Sequence, residues 1–386
     1  MGKTQYGLHE NSVQLLIVVK PSTNLSSGVI MENLEEKRKH KKAALKAWKT
    51  IRREKREIAS KNTAKITAFI SPESMEKIKH PETAFLPKES ELVWQGNRIV
   101  VPFRKTPPDI ACGMFWELRW AYGCPLNCSY CFLRGTMRGR MKPQYVRTEL
   151  VLQALDEAFA KIQTPTIFNS GELADALMNP QFMAPIVKKF EEQKLHKVYL
   201  LSKFGVSNVG FLTNELHEQV VCGWSVNTPE VSKRWESNAA SPENRIEAAA
   251  LVSRVGYDTR IRIDPIFPIK DWRFDYGNLL DQLLSKFTPR KIILGTPRGL
   301  WKTIKFAREA NANMEWVQFF AEDSGWGKKM AFELRKEIYE FFYDRLESLG
   351  YPQSRVSLCK ETVDMWKALK LKYVLGLCNC YGLTPM

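Results

Sequence analysis

The chain has 386 residues, 44% of them hydrophobic and 26% charged, which is enough apolar material for a full-sized core and excludes a disordered or fibrous chain. Lysine plus arginine number 58 against 42 acids, and the net charge of +16 points to a polyanionic partner, with nucleic acid the first candidate. The longest apolar run near the start, Leu15 to Val19, is far short of the roughly 20 residues that span a bilayer, and no signal-peptide pattern precedes it. The expectation is therefore a cytoplasmic protein with no membrane partner, in which eight cysteines read as thiols or metal ligands rather than as disulfides.

In chain order, residues 1–66 read as a tether followed by a basic helix. A β-rich run from Gln14 to Lys20 gives way to a Ser/Asn/Gly-rich stretch, and from Met31 to about Lys65 the chain is free of Gly and Pro and rich in helix formers. Between Lys37 and Arg56 stand eleven basic residues and one acid, Glu54, while Ala44, Leu45, Trp48 and Ile51 leave a thin apolar stripe. Such a cylinder either lies along phosphates, through Lys41, Lys42, Lys46, Lys49, Arg52 and Arg53, or packs by its stripe as a solvated helix.

Residues 67–112 hold six prolines and read as a connector, with a hairpin expected between Leu92 to Trp94 and Arg98 to Phe103. From 113 to 320 the pattern alternates strand and helix. Strands are expected at Trp116 to Tyr122, Thr166 to Asn169, Lys197 to Ser202, Val220 to Val226, Thr259 to Pro265 and Lys291 to Leu294. Helices are expected at Thr148 to Ile162, Gln181 to Gln193, Asn208 to Glu218, Pro242 to Val255 and Tyr276 to Lys286. This is an α/β fold, a partial (β/α)6 barrel whose loops after the strands would hold the chemistry. Residues 321–386 read as a C-terminal extension with a helix at Met330 to Leu349 and a cysteine-containing end.

The sharpest chemical signal follows the first expected barrel strand: Cys124-Pro-Leu-Asn-Cys128-Ser-Tyr-Cys131, three thiols on one loop. Thiolates ligate iron-sulfur clusters, and three of them leave one iron of a 4Fe-4S cluster open. A zinc site would need a fourth ligand, which no nearby His or Cys supplies at finger spacing. Near the end, Cys359, Cys378 and Cys380 could hold a second cluster, line a substrate site or simply pack; Cys112 and Cys222, flanked by apolar residues, read as packing. Arg134, Arg138 and Arg140 after the cysteine loop, and Arg298, Trp301 and Lys302 after the sixth strand, suit phosphate neutralisation and base stacking.

The CxxxCxYC loop after a first strand resembles the radical S-adenosylmethionine superfamily. That resemblance implies a 4Fe-4S cluster on Cys124, Cys128 and Cys131 whose open iron chelates S-adenosylmethionine, and a 5′-deoxyadenosyl radical made on its reductive cleavage. Ser170-Gly171-Glu172 matches the second half of the superfamily's GGE-like turn beside the cofactor amino group. Ser225 and Asn227 fall where the family contacts ribose and carboxylate. Within the superfamily the stretch from about Cys124 to Trp272 resembles the spore photoproduct lyase branch, through Leu201-Ser-Lys203-Phe, Trp224-Ser-Val-Asn227, Arg245-Ile-Glu-Ala-Ala, Gly256-Tyr, Asp264-Pro-Ile-Phe and Asp271-Trp272. By that likeness Lys203 approaches the cofactor carboxylate, Tyr130 and Glu172 are the catalytic candidates, and a flavodoxin or ferredoxin would supply the electron.

Two positions depart from the branch. Its tyrosine after the third cysteine is Phe132 here, and its hydrogen-donating cysteine falls at or near Glu172, with no Cys between Phe168 and Asp175. The reading is a radical enzyme acting on a base in nucleic acid, DNA favoured, by pyrimidine modification, rearrangement or photolesion repair. The alternatives are a radical enzyme on a small molecule or peptide, and a nucleic-acid-binding protein with a structural or redox-sensing cluster.

Overall fold

The centre of the fold is a sheet whose strands run almost all one way. The computed structural model describes residues 94–107, 109–325, 327–376 and 378–381, all within one unit of the chain, His80–Met386. The expected tether and basic helix, with Lys41, Lys42, Lys46, Lys49, Arg52 and Arg53, lie outside the described residues.

In chain order the strands are β1 (Val100–Phe103), β2 (Phe115–Leu118), β3 (Ala121–Tyr122), β4 (Gln144–Tyr145), β5 (Ile167–Asn169), β6 (Lys197–Ser202), β7 (Val220–Ser225), β8 (Asp258–Ile263), β9 (Lys291–Leu294), β10 (Arg298–Leu300), β11 (Glu322–Ser324), β12 (Gly327–Lys329) and β13 (Val356–Leu358). The helices are α1 (Leu133–Thr136), α2 (Thr148–Lys161), α3 (Pro180–Glu191), α4 (Gly210–Thr213), α5 (Pro229–Trp235), α6 (Pro242–Val255), α7 (Trp272–Lys286), α8 (Trp301–Glu309), α9 (Phe332–Ser348) and α10 (Val363–Ala368).

The main sheet has the order β1-β2-β5-β6-β7-β8-β9-β13, and every neighbouring pair after β1/β2 is parallel. Parallel strands covered by helices must be apolar on both faces, and all six residues of β7, Val-Val-Cys-Gly-Trp-Ser, are buried. Gly223 is required there, because a Cβ would lie 2.1 Å from the Tyr199 hydroxyl on β6. Helix ends follow local chemistry. Ser241 Oγ accepts from Asn244 N at 3.3 Å and Gly256 closes α6 at φ +114°, so the expected span Pro242–Val255 is the observed one. Leu200, Ile261 and Ile292 are at most 1% exposed, and each such side chain contributes about 1.5–3 kcal/mol by leaving water.

Four local expectations are corrected. β1 pairs antiparallel with β2, where Phe103 stacks on Phe115 at 4.8 Å; of its expected partner Leu92 to Trp94, Leu92 and Val93 lie outside the described residues and Trp94 is not in a strand but packs on Trp116. The first barrel strand breaks after Leu118, and Ala121–Tyr122 turns away to pair with β4. The helix expected over Asn208 to Glu218 is a 3-10 turn and the single turn α4; Tyr257 Oη donates to Glu215 O (2.7 Å) and accepts from His217 N (3.0 Å), pinning that stretch as loop. The C-terminal segment supplies a seventh parallel strand, β13, and two strands of a small sheet, β10-β12-β11. Among the described residues no helix is long and apolar enough to cross a membrane.

The seven parallel strands end on one side. After them come the cysteine loop, Gly171–Asp175, Lys203, Ser225 at the tip of β7, Asp264, Arg298 and Lys360, and all of these line one cavity. That is where the loops of a parallel α/β sheet gather functional groups.

Candidate active site

The cavity measures about 820 Å³, and Cys124, Cys128 and Cys131 form part of its wall. The loop that carries them is held by its own backbone: Cys124 N donates to Met141 O (2.9 Å) and Ser129 N to Trp235 O (2.8 Å), while Asn127 adopts φ +54°. Arg134 fastens the turn from within, giving Nε to Cys128 O (2.9 Å) and a terminal nitrogen to Asn127 O and Oδ1 (2.9 and 2.8 Å). Expected as a phosphate contact, Arg134 is instead 3% exposed and fully used in shaping the loop. Arg138 and Arg140 are exposed.

Burial pushes the Cys128 thiol up to about 12, with Glu236 adding to the effect, and raises Cys124 and Cys131 too. Among the described residues no group of three or more His, Cys, Asp or Glu side chains stands preformed around an ion, so these thiols would close onto a metal centre and release their protons to it. As a donor set they fit a cluster with one open iron: three sulfurs on one loop, an apolar bed of Leu126 and Leu133, and a large cavity in front.

Opposite the loop lies a buried ionic network. Lys203 Nζ reaches Ser225 Oγ (2.6 Å) and Glu236 Oε1 (3.0 Å), Arg245 reaches Glu236 Oε2 (2.6 Å), and Tyr130 donates its hydroxyl to Glu236. Burial pushes the Glu236 carboxyl up, but Lys203 and Arg245, with the Lys203 and Tyr130 hydrogen bonds, outweigh it and hold the group at about 2. Arg245 is itself anchored on Ala240 O, Ser225 O and Ser232 Oγ. Sequence reading missed Glu236, a lone acid at the end of α5 with no motif around it. It missed Asp175 as well, which accepts from Ser202 Oγ (2.6 Å), Leu177 N (3.0 Å) and Lys203 N (2.8 Å) and so fixes where Lys203 leaves β6.

The remaining candidates divide. Glu172 faces the cavity, accepting from Lys360 Nζ (3.1 Å) and Asn169 Nδ2 (3.2 Å). Gly171 lines it too, packed so tightly on β6 that a Cβ would stand 2.8 Å from that of Leu201. Ser170 turns inward, its hydroxyl donating to Tyr199 O (2.8 Å). Asn227 is fully buried behind the wall, with Nδ2 on Pro265 O (2.7 Å) and Oδ1 accepting from Tyr276 Oη (2.7 Å) and Thr228 N (3.0 Å). The side chains of Ser170 and Asn227 therefore serve the scaffold, not the cavity. Arg298 grips Asp264 (2.9 and 3.0 Å), leaving Trp301 and Lys302 as the exposed part of that trio.

Comparison with known proteins gives a consistent picture. A family model, spore photoproduct lyase, matches residues 98–293. Two curated relatives are the spore photoproduct lyases of Clostridium acetobutylicum, 24% identical over 216 residues, and Bacillus subtilis, 28% identical over 177 residues. The alignments cover 53% and 44% of this chain but only 63% and 50% of those proteins. Among solved structures, a spore photoproduct lyase complexed with dinucleoside spore photoproduct superposes with a TM-score of 0.55 at 16% identity, covering 63% of this chain and 75% of that one. A double mutant with bound AdoMet and the same dinucleoside gives 0.54 at 17% identity, covering 62% and 74%. At such identities the structural likeness is one of fold.

Proposed function

The chain belongs to the spore photoproduct lyase family, and from that premise we propose that it is a radical S-adenosylmethionine enzyme acting on a pyrimidine base in DNA. One juxtaposition carries the reading: the sulfurs of Cys124, Cys128 and Cys131 share a cavity with Lys203, Ser225, Glu172 and Lys360 at the ends of the parallel strands. A 4Fe-4S cluster on the three cysteines, with S-adenosylmethionine on its open iron, would supply the 5′-deoxyadenosyl radical. The chain's own residues prepare the place for it. Lys203, held by Glu236 and Ser225, offers a fixed cation to a cofactor carboxylate, and Asp175 sets its backbone. Tyr130 and Phe132 wall the cavity beside the cysteines, and Glu172 with Lys360 presents polar atoms to whatever enters.

A base inside a duplex is out of reach of such a cavity, so the substrate must be flipped, bent or single-stranded. The exposed Arg138 and Arg140 and the basic stretch Lys37 to Arg56 support a nucleic-acid substrate over a small molecule or peptide. The electron comes from a donor such as a flavodoxin or ferredoxin, which fits a cytoplasmic enzyme. A second reading, rearrangement or modification of the base rather than simple dimer reversal, is supported by one observation: among the described residues lining the cavity, the only thiols are the three loop cysteines. By the resemblance, the family's hydrogen-returning tyrosine falls at Phe132 and its cysteine at or near Glu172, with no Cys between Phe168 and Asp175.

The test is anaerobic reconstitution with iron and sulfide, followed by measurement of 5′-deoxyadenosine with and without DNA carrying deuterated thymine. Cofactor cleavage that needs DNA, with label recovered in 5′-deoxyadenosine, is expected; cleavage indifferent to DNA would transfer the reading to a small substrate. With DNA carrying the spore photoproduct, clean and fast return of two thymines would establish repair and remove the second reading.

A further inference from the structure

Behind the cavity wall, four cysteines from three distant segments converge on one small void; like the loop thiols they are not preformed around an ion and would close onto one. Cys112, Cys359, Cys378 and Cys380 line a small second void, and Glu172, Arg262 and Lys360 stand between it and the main cavity. Cys112, Cys359 and Cys380 are at most 6% exposed. Cys112 Sγ and Cys380 Sγ each reach Leu358 O, at 3.8 and 3.9 Å, Cys380 approaches Ser357 Oγ at 3.7 Å, and the Cys380 thiol also contacts those of Cys112, Cys359 and Cys378.

The backbone around them is laced for the purpose of holding three strands of chain together. Ala111 N donates to Glu361 O (2.9 Å), Gly376 N to Ala111 O (3.3 Å), Met114 N to Gly376 O (3.2 Å) and Cys359 N to Leu294 O (2.7 Å). Gly113 and Gly376 touch so closely that any Cβ at Gly113 would collide with Gly376 backbone, at 1.8 Å. Charge points the same way. Arg260 donates to Cys380 O (2.9 Å), Arg298 to Cys359 O (3.3 Å) and Lys291 to Asn379 O (3.3 Å), with Arg262 and Lys360 on the void's wall. Against these five cations stand three carboxylates, Asp258, Asp264 and Glu172, each paired with one or more of them. Among the described residues the surroundings of the void are thus net positive, which favours an anionic occupant. Four thiolates on one divalent ion carry two negative charges.

We infer that Cys112, Cys359, Cys378 and Cys380 bind a single tetrahedral metal ion of the zinc type, a closed structural site that fastens the C-terminal segment beneath the cavity wall. The size of the void selects one ion over a second iron-sulfur cluster: it measures about 20 Å³, room for roughly one water-sized sphere and far too little for a cube of four irons and four sulfides. The second cluster expected from Cys359, Cys378 and Cys380 is thereby replaced, and Cys112, read from its apolar neighbours as packing, becomes the fourth ligand.

The experiment removes the radical centre first, so that its failure and failure here are separable. The full-length Cys124→Ala/Cys128→Ala/Cys131→Ala variant is purified with zinc in the medium, dialysed and analysed for metal. About one zinc per chain is expected, and replacing Cys112 and Cys380 by Ser in that background should weaken zinc binding by more than the roughly 10–100-fold that loss of a mere supporting contact costs. A metal-free triple variant, zinc binding unchanged by the Ser replacements, or several irons with sulfide after reconstitution would each overturn the proposal. If the Ser variants fail to fold, cobalt(II) in place of zinc in the triple variant decides. Thiolate-to-cobalt charge transfer with strong tetrahedral d–d bands is expected, and weak octahedral bands would overturn it.

Discussion

Lys360 and Glu172 stand 188 residues apart in the chain and 3.1 Å apart on the cavity wall, Nζ to Oε1. The pair ties the end of β13 to the end of β5, and Lys360 Nζ also lies 5.0 Å from the Phe103 ring centre and 5.8 Å from that of Phe132. Their side chains are only 21% and 11% exposed, so water screens them weakly and each partner left alone would be poorly solvated. A double-mutant cycle with Glu172→Gln and Lys360→Met, read by thermal or denaturant unfolding, should give a coupling of about 1–3 kcal/mol. The same cycle on the exposed helical pair Lys305–Glu309 should give less than about 1 kcal/mol. Equal coupling for the two pairs would show that the cavity pair is solvated.

Glu236 makes a prediction about acid. Its carboxyl is held at about 2 in the folded protein, against an ordinary value of 4.5. A depressed carboxylate contributes stability that is complete above the unfolded value and is lost as pH falls from about 4.5 toward 2. The size of that contribution is about 3 kcal/mol at neutral pH. Glu236→Gln should therefore lower the melting temperature at pH 7, where it leaves Lys203 and Arg245 buried without their anion. It should also flatten the fall in stability between pH 4.5 and 2. Parallel pH profiles for the two proteins would remove Glu236 as the source.

Strands Lys197–Ser202 and Lys291–Leu294 and helix Pro242–Val255 were legible because local chemistry marks both their ends: β-branched and apolar runs in the first two, a serine cap and a left-handed glycine in the third. β13 was not, because three residues carry little pattern and what makes Val356–Leu358 a strand is β9, more than sixty residues upstream. The cysteine loop was readable from spacing alone. Glu236 was invisible, since its meaning comes from Lys203, Arg245 and Tyr130 arriving from three other elements. Polar residues at strand ends misled in the other direction. Ser170 and Asn227 sit where ligands bind in such folds, yet their hydrogen bonds run to Tyr199 O and to Pro265 O and Tyr276. Sequence tells that a polar group lies near the rim but not which way it points.

Replacing any one of Cys124, Cys128 or Cys131 by Ala should abolish formation of 5′-deoxyadenosine from S-adenosylmethionine under dithionite after anaerobic reconstitution, since two thiolates cannot hold a cluster with one iron left open. The fold should survive, because the loop's shape comes from Arg134 and backbone hydrogen bonds and not from the thiols. Circular dichroism and melting temperature check the second half, and product analysis checks the first. Undiminished product from a variant lacking all three would sink the radical reading while leaving the fold untouched.

The stretch Lys37 to Arg56 carries eleven basic residues and one acid, ten of the chain's sixteen net positive charges. If it lies along a phosphate backbone, deleting residues 1–60 should weaken DNA binding nearly equally for all sequences, because phosphate contacts carry no base information. The salt dependence should flatten with it. With roughly five of the eleven charges engaged, the slope of log K against log salt should change by about 4–5 for duplex and about 3–4 for single strands, since each neutralised phosphate releases close to one counterion. The described residues, and the cavity they line, all fall within His80–Met386, beyond the deletion. Cofactor cleavage without DNA should therefore persist in the shortened protein, which separates lost binding from lost chemistry. Binding measured by fluorescence anisotropy across a salt series decides the matter: unchanged affinity and unchanged slope would mean that these charges face water, and that Arg138, Arg140 and the rim of the cavity carry the contact with DNA on their own.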